Sequence, residues 1–202
     1  MGESGKMEPV TSESGDGVDE VLSFWLGAGP EAWYKQDDTL DGEITRRFGT
    51  LWEQGAAGAL DEQWATNPRG ALALIILLDQ FPRNMFRGEA RAFHSDARAR
   101  SVACYALDRG WDRRVDEPER QFFYMPFMHS ERLTDQDHCV RLFAERMPGD
   151  NVLHARAHRE IIRRYGRFPY RNDALGRTTT EAERAFLDEG GYGAIVNDLR
   201  DG

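Results

Sequence analysis

The chain has 202 residues and a formal net charge of −9, of which residues 1–20 contribute −5. The remainder is only mildly acidic, which argues against nucleic-acid binding, since that function needs a basic surface. The longest apolar run, Ala71–Leu78, is too short to span a bilayer, and the N-terminus lacks the basic and apolar regions of a secretory signal. We therefore expect a cytoplasmic protein with neither a membrane nor a nucleic-acid partner, while its oligomeric state stays open.

Apolar residues recur at helical spacing along most of the chain, and no segment shows the alternation typical of strands. Residues 1–17 are mainly Gly, Ser, Glu and Asp, so we expect a disordered tail there and one domain over residues 18–202. Capping residues mark several helix starts, such as Asn67 before Pro68 and Thr180 before Glu183. The predicted fold is therefore all-α, with about eight helices joined by short loops. The predicted helices span residues 18–26, 40–54, 68–78, 95–109, 120–129, 134–147, 151–165 and 180–188.

Two similar segments, Asp79–Gly88 and Gly166–Arg177, each contain Phe-Pro followed by Arg-Asn. Proline cannot donate the hydrogen bond that continues a helix, so both copies are predicted to be helix exits. Polar loops beside apolar helices need hydrogen-bond partners. We therefore expect the two copies to lie close together, with His129 and Glu131 nearby.

The arginine and asparagine side chains of these copies are candidates for binding an anion, because a guanidinium group grips carboxylate or phosphate with two hydrogen bonds. The partner would be an anionic small molecule or a peptide carboxylate. The alternative is a structural lock, in which the arginines pair with acids of the same chain, and both interpretations stay open. The candidate ligand-binding residues are Arg83, Asn84, Arg87, Tyr124, Arg171, Asn172 and Arg177.

A second candidate site consists of His129, Glu131 and His158. An imidazole beside a carboxylate can act as a general base, which would make the chain a hydrolase-like enzyme. The alternative is a hydrogen-bonded polar cap on an apolar helix. His154 and His158 share a helix face at the spacing of metal-binding histidines, but two ligands are too few. Neither a metal nor a cofactor is therefore predicted.

Four segments of the chain form a longer pattern: Asp79–Gly88, Phe93–Asp96, Tyr124–Glu131 and Tyr165–Arg177. In this pattern the chain resembles the bacterial DUF924 family, and the resemblance covers roughly residues 18–190. It implies an all-helical fold with a tetratricopeptide-like superhelical arrangement, and it implies no particular activity. The chain departs from the resemblance at Tyr170, where the family is expected to have His, and this weakens any mechanism that needs an imidazole there.

Overall fold

The structure, a computed structural model, describes residues 16–201, and all regular secondary structure in that range is helical. The prediction of an all-α fold is confirmed. The tail predicted to be disordered falls mainly on residues 1–15, which lie outside the described residues. The first helix begins at Asp16 and so includes Asp16 and Gly17, the last two residues of that predicted tail.

Five helices make up the first part of the fold, and side chains cap two of their N-termini. Asp37 accepts hydrogen bonds from the backbone amides of Thr39 and Leu40, and Asn67 accepts one from Gly70 at 3.0 Å. The cap predicted at Asn67 is thus confirmed. The helices are α1 (Asp16–Ala28), α2 (Pro30–Trp33), α3 (Asp38–Ala57), α4 (Asp61–Trp64) and α5 (Pro68–Ile75).

The first copy of the repeated segment lies inside a continuous helical stretch. Helix α5 passes into a π-helical turn (Ile76–Gln80), which passes into α6 (Phe81–Met85). The helix exit predicted at Pro82 is therefore wrong. The carbonyl of Leu78, four residues before this proline, accepts a hydrogen bond from Ser95 Oγ at 2.6 Å. Because Ser95 replaces the missing N–H donor, the helix can continue through the proline.

The rest of the chain alternates longer helices with short 3₁₀ turns. The helix predicted over residues 120–129 is instead a 3₁₀ turn (Glu119–Phe123) followed by the single-turn α8 (Met125–Met128), since Pro126 cannot pair with the carbonyl of Phe122. Thr180 caps α11 in the predicted capping box, which is confirmed. Helix α12 was not predicted. The remaining helices are α7 (Asp96–Asp108), α9 (Leu133–Arg146), α10 (Asp150–Tyr165), α11 (Glu181–Asp188) and α12 (Gly191–Asp201). The remaining 3₁₀ turns are Ala90–Phe93, Asp112–Arg114 and Pro169–Arg171.

The second copy begins where α10 has ended. Gly166 follows Tyr165 with φ of 69°, a left-handed conformation that glycine adopts without a steric penalty. The exit predicted for this copy is therefore confirmed. Phe168 packs into a small apolar cluster with Ile161 and Phe186, apart from the large core that α1, α3 and α5 share.

No helix within residues 16–201 combines the length and the apolar character that crossing a membrane requires.

Candidate functional site

The two copies meet at one carboxylate, which confirms that they lie close together. Arg83 of the first copy is 3.0 Å from Asp96 at the start of α7, and Arg171 of the second copy is 3.5 Å from the same side chain. Both guanidinium groups also lie over the ring of Phe93, at 5.9 Å and 4.5 Å from its centroid. One acid and one aromatic ring thus hold two arginines that would otherwise repel each other.

A fully buried acid, Asp79, connects this cluster to a histidine. Nδ1 of His129 is 2.9 Å from both carboxylate oxygens of Asp79, and Arg83 lies 3.4 Å from one of them. Burial raises the pKa of Asp79, but Arg83 and His129 outweigh it and lower that pKa to about 2. Asp79 is therefore ionised at neutral pH.

The ionised carboxylate determines which ring nitrogen of His129 carries the proton. Because a carboxylate only accepts hydrogen bonds, Nδ1 must donate, and the neutral ring then has an unprotonated Nε2. Burial and the charge of Arg83 lower the pKa of His129, although Asp79 opposes them. The ring is therefore neutral at neutral pH, with a lone pair on Nε2.

Glu131, which the sequence pattern associates with His129, has other partners. It accepts hydrogen bonds from Arg177 at 3.0 Å and from the backbone amide of Phe168 at 2.9 Å. The carboxylate that orients His129 is instead Asp79, 50 positions earlier in the chain. Sequence reasoning missed this role, and the available signal was a single acid that directly follows a long apolar run.

The other candidate ligand residues bind partners in different places. Asn84 and Arg87 both contact Asp41 of α3, where Asn84 Nδ2 donates at 2.8 Å. Within residues 16–201, no hydrogen bond joins these two, Tyr124 or Asn172 to Asp96 or His129. The remaining two pairs are Tyr124 with Asp112 at 2.8 Å and Asn172 with Glu183 at 3.3 Å.

A cavity of about 370 Å³ lies between α8 and α10, and His129 is part of its wall. His158 also lines it, and its Nδ1 is 2.9 Å from the carbonyl of His154. A carbonyl only accepts, so His158 likewise has an unprotonated Nε2. Burial lowers the pKa of His158 to about 3. The full lining is Tyr34, Gln121, Met125, Met128, His129, Phe143, Asn151, His154, His158 and Tyr192.

Two tyrosines and two amides complete the polar wall of the cavity. The hydroxyl of Tyr34 and Nδ2 of Asn151 both donate to Oε1 of Gln121, the latter at 3.3 Å. Gln121 therefore has its Nε2 group left as a hydrogen-bond donor. The hydroxyl of Tyr192 lies 2.6 Å from Nδ1 of His154. Burial raises the pKa of Tyr34 and that of Tyr192 to about 12, so both hydroxyls are protonated at neutral pH.

The serine and thiol groups next to this region are engaged elsewhere. Ser130 donates to Asp135 at 2.6 Å, and the buried Cys139 contacts the carbonyl of Tyr124 at 3.6 Å. Burial raises the pKa of Cys139, which keeps it a thiol. In the described part of the chain, no group of three or more His, Cys, Asp or Glu side chains is placed to hold a metal ion.

Comparison with known proteins identifies a family and one similar structure. A family model described as "Bacterial protein of unknown function (DUF924)" matches residues 21–191. A solved structure titled "Structure of Protein of Unknown Function ATU0120 from Agrobacterium tumefaciens" is 41% identical in sequence, with a TM-score of 0.82. The similarity covers 86% of this chain and 97% of that one. No protein with a curated description matches.

Proposed function

This chain belongs to the DUF924 family of bacterial proteins of unknown function, and from that premise we propose that it binds an uncharged small molecule in the cavity between α8 and α10. A volume of about 370 Å³ is at the lower end of the range of small-molecule sites, which runs from about 300 to 1,000 Å³. The ligand is therefore small, of the size of one or two fused rings.

The observation that carries this proposal is the hydrogen-bond character of the wall. His129 and His158 each have Nδ1 engaged as a donor, and Nε2 of each is left as an acceptor. Both rings are neutral at neutral pH, and the amide Nε2 of Gln121 is an available donor. A wall of this kind complements an uncharged molecule that carries both N–H or O–H groups and a carbonyl.

The apolar part of the wall favours a flat ligand. Met125 and Met128 contribute thioether side chains, which adapt to different shapes and make favourable contacts with aromatic rings. The rings of His158 and Tyr192 lie 4.8 Å apart and are tilted by 57°. A planar heteroaromatic molecule can contact both surfaces while its polar edge reaches the imidazoles and Gln121.

An anionic ligand on the arginines remains a prediction from the sequence. Each arginine of that site is paired with an acid: Arg83 and Arg171 with Asp96, Arg87 with Asp41, and Arg177 with Glu131. An incoming anion must compete with these carboxylates, and Arg171 is only 7% exposed. The cavity therefore offers the better site, because within residues 16–201 three of its polar atoms, Nε2 of His129, of His158 and of Gln121, make no internal hydrogen bond.

Two further expectations remain proposals. The tetratricopeptide-like superhelical arrangement implies a concave face, and a cavity between two neighbouring helices, α8 and α10, is compatible with it. A cytoplasmic location agrees with the unpaired thiols Cys104 and Cys139.

Binding can be tested by saturation-transfer NMR with a mixture of uncharged heteroaromatic amides and amines. We expect some of them to bind the wild-type protein and to lose binding in Asn151→Phe, which narrows the cavity and removes a donor to Gln121. The matched control is Arg156→Phe, which introduces the same side chain at an exposed position of α10 and should keep binding.

The same samples should be tested with phosphate and citrate. Binding of an anion that Arg177→Ala abolishes and Asn151→Phe leaves intact would favour the arginine site. The proposal is also contradicted if no uncharged compound binds, or if binding is equal in Asn151→Phe and Arg156→Phe.

A further inference from the structure

We propose that His129, positioned by Asp79, accepts a proton from the molecule bound in the cavity, so that the site performs proton-transfer chemistry. This inference rests on the proposed binding function. Its basis is a juxtaposition of three features on two helical segments: a fully buried carboxylate, an imidazole held by both of its oxygens, and a cavity beside that imidazole.

The orientation of the ring gives the first argument. Asp79 belongs to the π-helical turn, and it fixes Nδ1 of His129 at 2.9 Å from each of its oxygens. Nε2 makes no hydrogen bond with another residue in the range 16–201, and the ring borders the cavity. The one basic nitrogen of the ring is thus available to a bound molecule in a fixed direction, as general-base catalysis requires.

The surrounding charges give the second argument. The groups around His129 are Asp79 and Arg83 of the first copy, Asp96 of α7, and the neutral ring of His158, whose centroid is 6.4 Å away. Arg171 pairs with Asp96 in turn, so the formal charges of these two acids and two arginines cancel. While the ring is neutral, these charges together do not draw a proton to it, which agrees with the lowered pKa of His129. Once it accepts a proton, the ring is next to the carboxylate of Asp79, whose hydrogen bond strengthens with the new charge.

The proton balance of the step is simple. A bond from hydrogen to nitrogen, oxygen or activated carbon of the ligand breaks, a bond from that hydrogen to Nε2 of His129 forms, and the electron pair stays on the ligand. The amide Nε2 of Gln121 is a donor on the same wall that can stabilise the resulting negative charge. Return of the proton to the product restores the unprotonated Nε2, so no further reactant is needed.

The two imidazoles of the wall are not equivalent. Nδ1 of His158 donates to a backbone carbonyl, whereas Nδ1 of His129 donates to a carboxylate. A neutral carbonyl stabilises an imidazolium much less than an anion does, and burial lowers the pKa of His158 to about 3. His129 is therefore the proton acceptor, and His158 is a hydrogen-bonding partner of the ligand.

The test uses 4-nitrophenyl acetate, an uncharged aromatic ester. Nε2 of His129 takes a proton from a water molecule beside the bound ester, and the water oxygen forms a bond with the acyl carbon. The ester C–O bond then breaks, 4-nitrophenolate leaves with the electron pair, acetic acid is the other product, and the imidazolium releases its proton to solvent. We expect His129→Gln and Asp79→Asn each to reduce the hydrolysis rate by roughly tenfold or more. Asp79→Asn should also move the pH midpoint of the rate to lower pH, because the imidazolium loses its carboxylate. The control His94→Gln changes an exposed histidine outside the cavity and should match the wild type.

Heteronuclear NMR of ring-labelled histidines in the wild-type protein tests the geometry without any variant. At neutral pH we expect His129 to have a protonated Nδ1 and an unprotonated Nε2. A protonated Nε2, or equal hydrolysis rates for His129→Gln and His94→Gln, would overturn the inference. If amides or amines bind in the cavity while either of these results is found, the inference fails and the binding function stands. If none binds, the binding function fails instead.

Discussion

The two copies of the Phe-Pro segment have similar sequences but different backbones. At Phe81-Pro82 the chain remains helical through a π turn, whereas at Phe168-Pro169 it has already left α10. The difference comes from what precedes each copy. A run that is buried on all sides leads into Pro82, and Ser95 supplies the donor that the proline lacks. Gly166 ends α10 two residues before Phe168.

The side chains of the two copies nevertheless reach the same partner. Arg83 projects from within a helix and Arg171 from a 3₁₀ turn, yet both contact Asp96 and the ring of Phe93. Both copies therefore supply an arginine to the same acid and the same aromatic ring, whereas the backbone conformation of each copy depends on the residues around it. It follows that disrupting the first copy should affect the large core, while disrupting the second should affect the small C-terminal cluster.

The largest effect is expected for Arg83→Ala. It removes the ion-pair partner of the fully buried Asp79 and one of the two partners of Asp96. Asp79 then keeps only the hydrogen bonds from the neutral His129 and from Gln80. A buried charge that loses its charged partner costs about 3–5 kcal/mol, so the free energy of unfolding in urea should fall by that amount. Arg87→Ala, which changes a more exposed arginine of the same copy, should cost only about 1 kcal/mol or less. Equal losses of unfolding free energy in the two variants would show that the buried ion pair of Arg83 with Asp79 stabilises the fold no more than the more exposed pair of Arg87 with Asp41.

Ser95→Ala tests how the first copy tolerates its proline. The hydroxyl donates to the carbonyl of Leu78 and accepts from Trp52 Nε1 at 3.0 Å. Its removal leaves two buried polar groups unpaired, which should cost about 1–3 kcal/mol of unfolding free energy. Ser101→Ala on the exposed face of α7 is the control and should change stability by less than about 0.5 kcal/mol. A neutral Ser95→Ala would mean that water satisfies the Leu78 carbonyl.

Gly166→Ala tests the exit of the second copy. An added Cβ at Gly166 meets no other atom within 4 Å, so its cost is the left-handed backbone alone, about 1–2 kcal/mol. Gly193→Ala in α12, also without a close neighbour, should be neutral or slightly stabilising, because alanine favours a helix. Thermal melts of the two variants provide the comparison. Similar melting temperatures would show that the end of α10 is not determined by Gly166.

The smallest effect concerns His158, whose ring packs 5.6 Å from that of Phe168. Its pKa falls from 6.5 to about 3 on folding, so its contribution to stability is complete above 6.5 and is lost as the pH falls toward 3. Lowering the pH from 6.5 by about one unit should cost the wild type about 1 kcal/mol more than it costs His158→Gln. Urea unfolding at the two pH values measures this. If the unfolding free energies of the wild type and of His158→Gln change equally with pH, His158 is not held neutral by burial.

Local features of the sequence determine most of the helical segments. Asn67 and Thr180 cap helix starts, Gly166 ends α10, and apolar spacing locates the long helices, because these effects depend on residues within one or two turns. The same local reasoning missed α12, whose first residues, Gly191 to Gly193, favour a turn by propensity. Packing of α12 against α10 overrides that preference.

The candidate site depends on the tertiary structure. Asp79 and His129 are 50 positions apart, and Tyr34 and Tyr192 reach the same cavity from opposite ends of the described chain. Spacing alone pairs His129 with its neighbour Glu131, yet Glu131 binds Arg177 and the backbone of Phe168. Which polar groups meet is decided by which helices pack together, since a buried charge takes the partner that the core brings to it, however distant in sequence.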